Sequence, residues 1–323
     1  MTAIPESQQT LAEEHHSRIK EKISRELGSK ILGLLKEPTV IEIMLNDDGR
    51  LWVERLGSEM EPIGTMPAWQ AEALIGSIAS TLKGNVTRES PILECELPID
   101  GSRFEAMIPP IVAAPTFTIR RKALKIFTLS DYVNDGIMTE RQREAVCQAI
   151  ADLKNILVVG GTSTGKTTLT NAIIAHISEA FPHQRLVIIE DTGELQCASE
   201  NRVLLRATTH VDMLALLKAT MRLRPDRILV GEVRGKEALA LLKAWNTGHP
   251  GGVATVHAND AAAGLIRIEQ LVAEATLAPM HQPIATAINL IVAIEKTPAG
   301  SRRVKSVLEV HGHDGTAYVT TPL

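Results

Sequence analysis

The chain contains 323 residues, of which 44% are hydrophobic and 22% charged, and its formal net charge is −4. These values exclude a collagen-like chain, a disordered chain and a strongly basic chain, and they are typical of globular proteins. Because single hydrophobic cores rarely exceed about 250–300 residues, we expect roughly two domains.

The first 128 residues predict a small α+β domain. Apolar residues that recur every four positions among mixed charges indicate a long N-terminal helix. Two alternating apolar segments flank the turn residues 46–49 and predict a β-hairpin. The predicted elements are helices at 5–36 and 68–82 and strands at 39–45, 51–55, 97–99, 103–108 and 117–120. Residues 129–138 are predicted to link this domain to the next.

Residues 139–323 predict a second domain, in which apolar β-branched runs alternate with helical patterns. This alternation is typical of a parallel sheet built from βαβ units. The predicted strands are 156–159, 186–189, 228–230, 253–256 and 290–294, and the predicted helices are 166–178, 212–222 and 236–245. The predicted fold class is therefore α/β, with a mostly parallel sheet that follows a smaller α+β domain.

A phosphate-binding loop follows the first of these strands. Residues 160–167 match the pattern G-x-x-x-x-G-K-[ST] and lie between an apolar strand and a helix, as the pattern requires. Lys166 offers a cation to the β- and γ-phosphates, and Thr167 offers a hydroxyl to Mg²⁺. The full match disfavours the alternative, a glycine-rich turn that binds nothing. The predicted nucleotide-binding residues are Gly160, Gly161, Thr162, Ser163, Thr164, Gly165, Lys166, Thr167 and Thr168.

Carboxylates follow two further strands, at the edge where open α/β sheets bind ligands. Glu190, Asp191 and Glu194 follow one predicted strand, and Glu232 follows another. One carboxylate could orient or deprotonate the attacking water, and another could hold Mg²⁺. We predict Thr167, Glu190 and Glu232 as metal ligands, and the sequence leaves the division of the catalytic tasks among the four carboxylates open. The alternative for the first cluster is a solvated acidic turn.

A histidine ends the next strand of the same sheet. His257 is expected to face the same edge, where it could sense the γ-phosphate. His249 lies in the preceding glycine-rich turn and is expected to order that turn. Gly231 stands where many P-loop enzymes have a magnesium-binding Asp, so this role falls to Glu232 or to the earlier carboxylates.

Four sequence blocks follow one another in the order GGTSTGKT, EDTGEL, LRPDRILVGEVRGKEA and TGHPGGVATVHA. Together they resemble the secretion ATPase family, in which they are called Walker A, Asp box, Walker B and His box, and whose Walker B has the same Gly-Glu form. The resemblance covers about residues 142–262. It implies a RecA-like P-loop domain, ATP and Mg²⁺ as cofactors, and membership among the ring motors of secretion, type IV pili and conjugation. The compact length and the EDTGE sequence favour the conjugation and type IV secretion branch.

A weaker resemblance to the same family covers the first domain. In the family this domain swings over the nucleotide and contributes arginines to the phosphates, which implies catalytic roles for Arg103 and Arg120. The planar and permanently charged guanidinium suits that task, although each residue could instead form a surface ion pair. The family assembles as hexameric rings, so a homo-hexamer is expected. Candidates that could act across the subunit boundary, each of which could instead form a structural ion pair, are Arg206, Arg222, Arg224 and Arg234.

The function implied by the resemblance is an ATP-hydrolysing hexameric motor of a type IV secretion or conjugative DNA transfer apparatus. The expected partners are inner-membrane components of such a complex. The alternatives are a pilus retraction motor, a nucleotide-gated assembly scaffold with negligible turnover, and a DNA-translocating enzyme. The negative net charge and the 3% share of aromatic residues argue against direct nucleic-acid binding.

Membrane contact is expected to be peripheral at most. No stretch reaches about 18 uninterrupted apolar residues, and the N-terminal residues lack the pattern of a secretion signal. Three scattered cysteines match neither a disulfide framework nor a zinc site and fit a reducing compartment. The resemblance, more than any residue of the sequence, implies a cytoplasmic protein that is peripheral on the cytoplasmic face of the bacterial inner membrane. The N-terminal helix could lie on a membrane, but its mixed charges favour docking on protein.

Overall fold

The computed structural model describes residues 6–55, 58–82, 84–121, 126–208, 210–298 and 300–323, and the side chains of the first helix from residue 17. The chain divides into two compact units, Met1–Leu124 and Lys125–Leu323. The boundaries inferred from sequence, 1–128, 129–138 and 139–323, stay predictions beside this division.

The first unit contains an antiparallel sheet and helices, and the first helix, predicted as continuous, is interrupted at Gly28, where φ is 79°. Its described elements are α1 Glu6–Leu34, β1 Val40–Leu45, β2 Arg50–Arg55, β3 Glu61–Thr65, α2 Ala68–Thr81, β4 Ile92–Glu96, β5 Arg103–Met107 and β6 Thr116–Arg120. The strand order is β3-β2-β1-β6-β5-β4. Apolar side chains from both helices and the sheet share one core, in which Ile23, Leu74 and Phe104 are fully buried. The α+β pattern predicted here therefore matches the described elements.

The predicted strand at 97–99 is wrong. The strand lies at β4 instead, where Ile92 pairs with Met107 and Glu96 pairs with Arg103. This register leaves residues 97–102 as the hairpin connection, closed by a hydrogen bond from the N–H of Gly101 to the carbonyl of Leu97. The left-handed φ of 74° at Gly101 favours glycine there.

The second unit is a three-layered α/β arrangement. Its described elements are α3 Leu129–Asn134, α4 Glu140–Ala151, β7 Ile156–Gly160, α5 Lys166–Ala180, β8 Leu186–Glu190, β9 Arg202–Arg206, α6 Met213–Thr220, β10 Arg227–Val230, α7 Glu237–Asn246, β11 Val253–His257, α8 Ala261–Ala273, α9 His281–Ala287, β12 Leu290–Lys296, β13 Arg302–His313 and β14 Tyr318–Pro322. The described sheet has the order β14-β13-β12-β7-β11-β10-β8-β9. The strands from β12 to β9 in this order pair in parallel, and β13 and β14 are antiparallel, which confirms the predicted class.

The central strands are apolar along their whole length because helices cover both faces of the sheet. Every residue of β7, β8 and β10 is buried. Two separate clusters of buried side chains, which share these strands, lie on the two faces. Buried parallel strands require such continuous apolar runs, which is why the sequence predicted them correctly.

Two capped helices open the second unit. The hydroxyl of Thr128 accepts the N–H of Asp131 at the start of α3, and the Asp131 carboxylate accepts the N–H of Thr128. Thr139 and Gln142 form the same reciprocal pair at the start of α4. Part of the segment predicted as a linker is thus helical, and its Leu129 and Tyr132 are buried in the core of this unit.

Strand order places the functional segments side by side. β7, β11, β10 and β8 are neighbours in the sheet, although they are not consecutive along the chain. Since these strands are parallel, their carboxyl ends meet at one edge of the sheet. Among the described helices, none combines the length and apolar character that crossing a bilayer requires.

Candidate active site

The loop between β7 and α5 has the backbone of an anion-binding turn. Ser163 and Gly165 have positive φ values of 57° and 99°, and Gly165 is the N-cap of α5. The Thr164 hydroxyl donates to the carbonyl of Gly161 at 3.0 Å, which fixes the turn. Thr167 and Thr168 occupy the first turn of α5. Free N–H groups at a helix N-terminus, together with this turn, form a binding site for phosphate.

The glycine at the start of this loop is required by its surroundings. A Cβ atom built on Gly160 would lie 2.5 Å from the carbonyl oxygen of Ile294 and 2.5 Å from the Thr164 hydroxyl oxygen. Real Cβ atoms do not approach other atoms this closely, so a side chain here would displace the loop from β12. The motif glycine therefore serves strand packing as well as the turn.

Lys166 directs its ammonium group into the loop rather than towards solvent. Nζ donates to the carbonyls of Gly160 and Gly161, each at 2.9 Å. The same atom lies 3.2 Å from Nδ1 and 3.4 Å from Nε2 of His257. The residue is 8% exposed. The predicted phosphate-binding cation therefore stands within the loop and beside the predicted sensor histidine.

A chain of polar contacts continues along the strand ends. Nε2 of His257 lies 3.0 Å from Oε1 of Glu232. The other carboxylate oxygen of Glu232 accepts a hydrogen bond of 2.6 Å from Arg234, which also donates to Asp191 at 2.7 Å. Lys166, His257, Glu232, Arg234 and Asp191 thus follow one another across β7, β11, β10 and β8. The structure brings together most of the polar residues that the sequence predicted.

Glu232 has one carboxylate oxygen that is buried and unsatisfied. Its side chain is 13% exposed, and Oε1 has no hydrogen-bond partner among the described residues. The imidazole of His257 is close enough to this oxygen for an ion pair, but it is not aligned for a hydrogen bond. Buried polar atoms in native proteins are usually satisfied, so an exception in a polar cleft marks an atom that acts on something outside the protein.

Glu190 is organised differently. Its Oε2 accepts the N–H groups of Glu194 and Leu195 at 2.8 and 3.0 Å, and the residue is 6% exposed. Burial raises the pKa of this carboxyl, and the two N–H donors oppose the rise. Gly231 provides room for it, because a Cβ on Gly231 would lie 2.9 Å from the Cβ of Glu190. The Gly-Glu form of this motif therefore has a packing cause.

The imidazole of His257 is kept neutral near pH 7. Burial lowers its pKa below the ordinary value of 6.5, and the charge of Lys166 lowers it further. The carboxylate of Glu232 acts in the opposite direction with a smaller effect. A neutral imidazole can accept a hydrogen bond at one nitrogen and donate one at the other.

The predicted magnesium ligands do not form a site by themselves. Among the described residues, no group of three or more His, Cys, Asp or Glu side chains is arranged to hold a metal ion. Mg²⁺ in nucleotide enzymes is held by one or two protein groups together with phosphate oxygens and water, so this arrangement fits a metal that arrives with the nucleotide. The roles of Thr167, Glu190 and Glu232 as ligands stay predictions.

The two arginines predicted from the first unit lie on neighbouring strands. Arg103 of β5 and Arg120 of β6 are register partners in the antiparallel sheet. Nε of Arg120 lies 3.6 Å from Oε1 of Glu42, which forms an ion pair within the same unit. Their roles at a phosphate stay predictions.

One residue at the loop was not predicted from the sequence. Arg302, the first residue of β13, has its side chain against Gly165. No local motif marks it, and its position depends on the antiparallel pairing of β12 with β13, which was not predicted. Among the candidate arginines for a subunit boundary, Arg206 pairs in register with Glu190.

The loop, the helix that follows it and the polar edge of a parallel sheet define a P-loop nucleotide-binding protein. A profile of the family described as "Type II/IV secretion system protein" matches residues 26–306. The chain belongs to this family, as the four sequence blocks had predicted.

Similar proteins support this assignment. The chain is 53% identical to the "Probable conjugal transfer protein TrbB" of Sinorhizobium fredii over 295 residues, which cover 91% of this chain and 90% of that protein. It is 52% identical to the "Conjugal transfer protein TrbB" of Rhizobium radiobacter over 305 residues, 94% of each chain. Its fold resembles the Legionella pneumophila ATPase DotB with a TM-score of 0.61 and 20% identity, covering 86% of this chain and 79% of that chain.

Proposed function

We propose that this protein hydrolyses ATP with Mg²⁺ and works as a motor in a type IV secretion or conjugative DNA transfer apparatus. The observation that carries the hydrolytic part is the unsatisfied Oε1 of Glu232, beside the Lys166–His257 pair at a phosphate-binding loop. The transport part rests on membership of the secretion family and on the similarity to two conjugal transfer proteins.

The residues of the loop bind and orient the triphosphate. The N–H groups at the start of α5 and the ammonium of Lys166 receive the β- and γ-phosphates, in place of the loop carbonyls that Lys166 now contacts. Thr167 and a carboxylate would hold Mg²⁺, and the ion would supply positive charge against the charge that develops on the transferred phosphoryl group. The nucleotide thereby lies with its terminal phosphate towards the ends of β10 and β11.

Glu232 is the group that we assign to the attacking water. An unsatisfied carboxylate oxygen can accept a hydrogen bond from water and orient it, or take its proton. His257 is neutral and lies between Lys166 and Glu232. Its imidazole hydrogen-bonds the γ-phosphate and thereby couples the bound phosphate to Glu232. Glu190 acts indirectly, because its carboxylate fixes the backbone that presents Asp191 and Glu194.

The assembly and its place in the cell complete the proposal. A head-to-tail homo-hexamer would let arginines of one subunit, or Arg103 and Arg120, stabilise the charge that develops on the phosphoryl group. The ring would act in the cytoplasm, on inner-membrane components of the transfer apparatus, and reach the membrane only peripherally. Family membership supports each of these statements.

Steady-state ATPase activity tests the proposal, measured for the wild type, Lys166→Ala and Glu232→Gln, with the oligomeric state recorded for each. We expect turnover in the wild type that falls by at least about 100-fold in both variants while the oligomer persists. Wild-type protein that binds ATP tightly without turnover would instead support a nucleotide-gated scaffold. No binding of ATP would refute the nucleotide site itself.

A further inference from the structure

Arg302, from a distant part of the chain, lies against Gly165, the N-cap residue of α5 at the end of the phosphate loop. A Cβ built on Gly165 would lie 3.2 Å from Cδ and 3.4 Å from Nε of Arg302, and 3.7 Å from Cδ1 of Ile294. The paired strands β12 and β13 bring both side chains to this point, and β12 pairs in parallel with β7. The stem of Arg302 therefore packs directly on the turn that opens α5.

The guanidinium of Arg302 has no hydrogen-bond or ion-pair partner among the described residues, and the residue is half-buried. The next residue provides a contrast, because NH2 of Arg303 pairs with Oε1 of Glu295 at 2.6 Å and its side chain is 61% exposed. Two successive arginines on one strand thus differ: Arg303 forms a surface ion pair, and Arg302 lies at the loop with no such pair in the part of the chain that the structure describes.

The position of Arg302 is unfavourable for a cation unless an anion is bound. The N-terminus of a helix carries a partial positive charge, and a further cation there is destabilising. Lys166 already places a second positive charge in the same loop. Burial raises the pKa of the Tyr132 hydroxyl, and the positive charge of Arg302 opposes this rise. A phosphate group at the loop would compensate all of these charges.

We propose that Arg302 binds the part of the nucleotide that ATP and ADP share, at the α- and β-phosphates. The inference rests on the proposed function and adds a residue to it. β11 and β12 lie on opposite sides of β7, and His257 and Glu232 belong to the β11 side. The terminal phosphate must face Glu232 for hydrolysis, so Arg302 on the other side faces the diphosphate. Arginine suits this task because its planar fork can donate two parallel hydrogen bonds to phosphate.

A residue that contacts both substrate and product equally should affect binding rather than the chemical step. Affinities for ADP and for ATP are measured by isothermal titration calorimetry on the full-length wild type, Arg302→Ala, Arg302→Gln and Arg302→Lys. We expect Arg302→Ala to weaken both nucleotides by about 10- to 100-fold and by similar factors. Arg302→Lys should retain part of the affinity. The KM for ATP should rise with the affinity loss, while kcat stays within about threefold.

The matched control is Arg303→Ala, which removes a charge from the same strand and should change nucleotide affinity by less than about twofold. Arg302→Gln keeps the stem that packs on Gly165, so it decides the question if Arg302→Ala fails to fold. An ADP affinity equal to that of the wild type would overturn the inference, and so would a loss confined to ATP. If the wild type itself binds neither nucleotide, the proposed function falls together with the inference.

Discussion

The two edges of the parallel sheet differ in how far the polar side chains that lie there are hydrogen-bonded within the protein. At the amino-end edge, Arg227 is fully buried and each of its three side-chain nitrogens donates a hydrogen bond. Nε donates to Gln184 at 2.7 Å, and the other two nitrogens donate to the carbonyls of Gly251 and Ile150 at 3.0 Å each. The ring of Phe181 lies 4.8 Å from its guanidinium carbon. Burial lowers the pKa of this arginine to about 10, so it stays charged.

A second buried residue completes the amino-end edge. Nδ2 of Asn155 donates to the carbonyl of Ala287 at 2.7 Å, and its Oδ1 accepts the N–H of Gly252 at 2.9 Å. At the carboxyl-end edge, by contrast, Oε1 of Glu232 and the guanidinium of Arg302 lack hydrogen-bond partners among the described residues. Polar groups that are saturated within the protein hold loops together, whereas those left unsatisfied in a cleft remain available for a ligand.

The largest expected effect tests whether Glu190 and Glu232, both at the carboxyl-end edge, differ as their hydrogen bonds suggest. Glu232→Gln should lower ATP turnover by about 100- to 1000-fold, because the amide cannot take or orient the proton of water in the same way. Glu190→Gln should lower it by about tenfold or less, since the amide oxygen can still accept the N–H groups of Glu194 and Leu195. Both are measured at saturating ATP. Equal losses would contradict this division of roles.

The next largest effect concerns Arg227 at the amino-end edge. Arg227→Met should lower the free energy of unfolding by about 3 kcal/mol, because the carbonyls of Gly251 and Ile150 lose their donors in a buried place. Arg222→Met, at an exposed arginine of the same segment, is the control and should cost less than about 0.5 kcal/mol. Thermal unfolding measures both. A variant at Arg227 as stable as its control would show that saturation at this edge contributes little.

A smaller effect is expected where the carboxyl-end edge depends on a glycine. Gly231→Ala should cost about 1–3 kcal/mol, because the added Cβ would lie 2.9 Å from the Cβ of Glu190. Gly76→Ala is a suitable control, since no atom lies within 4 Å of a Cβ at this position of α2. Alanine in a helix is expected to be neutral or stabilising by up to about 1 kcal/mol. If both variants behave alike in thermal unfolding, Glu190 does not require the space above Gly231.

Local patterns of sequence predicted the parts of the fold that are themselves local. The central strands are buried on both faces and read as apolar runs, and the phosphate loop is one continuous segment. Edge strands escaped prediction: β9 has alternating exposed and half-buried residues, and β3 is mostly exposed, so neither shows an apolar run. The hairpin of β12 and β13, and with it Arg302, depends on pairing between segments that no motif announces.

The site was predictable in its members and not in their connections. Lys166, Glu232 and His257 each follow or open a recognisable element, and parallel strand ends must meet at one edge. Which carboxylate is satisfied by backbone N–H groups, and which is left with an unsatisfied oxygen, depends on distances of a few tenths of an ångström. The absence of an Asp before Glu232 was visible in the sequence, but its packing cause, the close approach of the Cβ of Glu190 to Gly231, required the structure.

The smallest expected effect is the protonation of His257, at the carboxyl-end edge, as the pH falls. Burial and the charge of Lys166 lower the pKa of His257 below 6.5, so the folded protein resists a proton that the unfolded chain accepts. The stability that His257 contributes is therefore present above pH 6.5 and is lost as the pH falls through its lowered pKa. The imidazole is 45% exposed, so salt should screen Lys166 and move the pKa back towards 6.5.

Ring resonances of His257, followed by NMR between pH 7.5 and 5.0, measure this pKa directly. Lys166→Met should raise it relative to the wild type, because the nearest cation is removed while burial stays. The ring resonances of His311, an exposed histidine whose Nε2 lies 2.9 Å from the hydroxyl of Thr321, serve as the reference signal in the same spectra. A pKa of 6.5 or above at low salt would mean that Glu232 dominates the imidazole. The carboxyl-end edge would then hold a charged histidine, and the terminal phosphate would meet two cations, Lys166 and His257, rather than Lys166 alone.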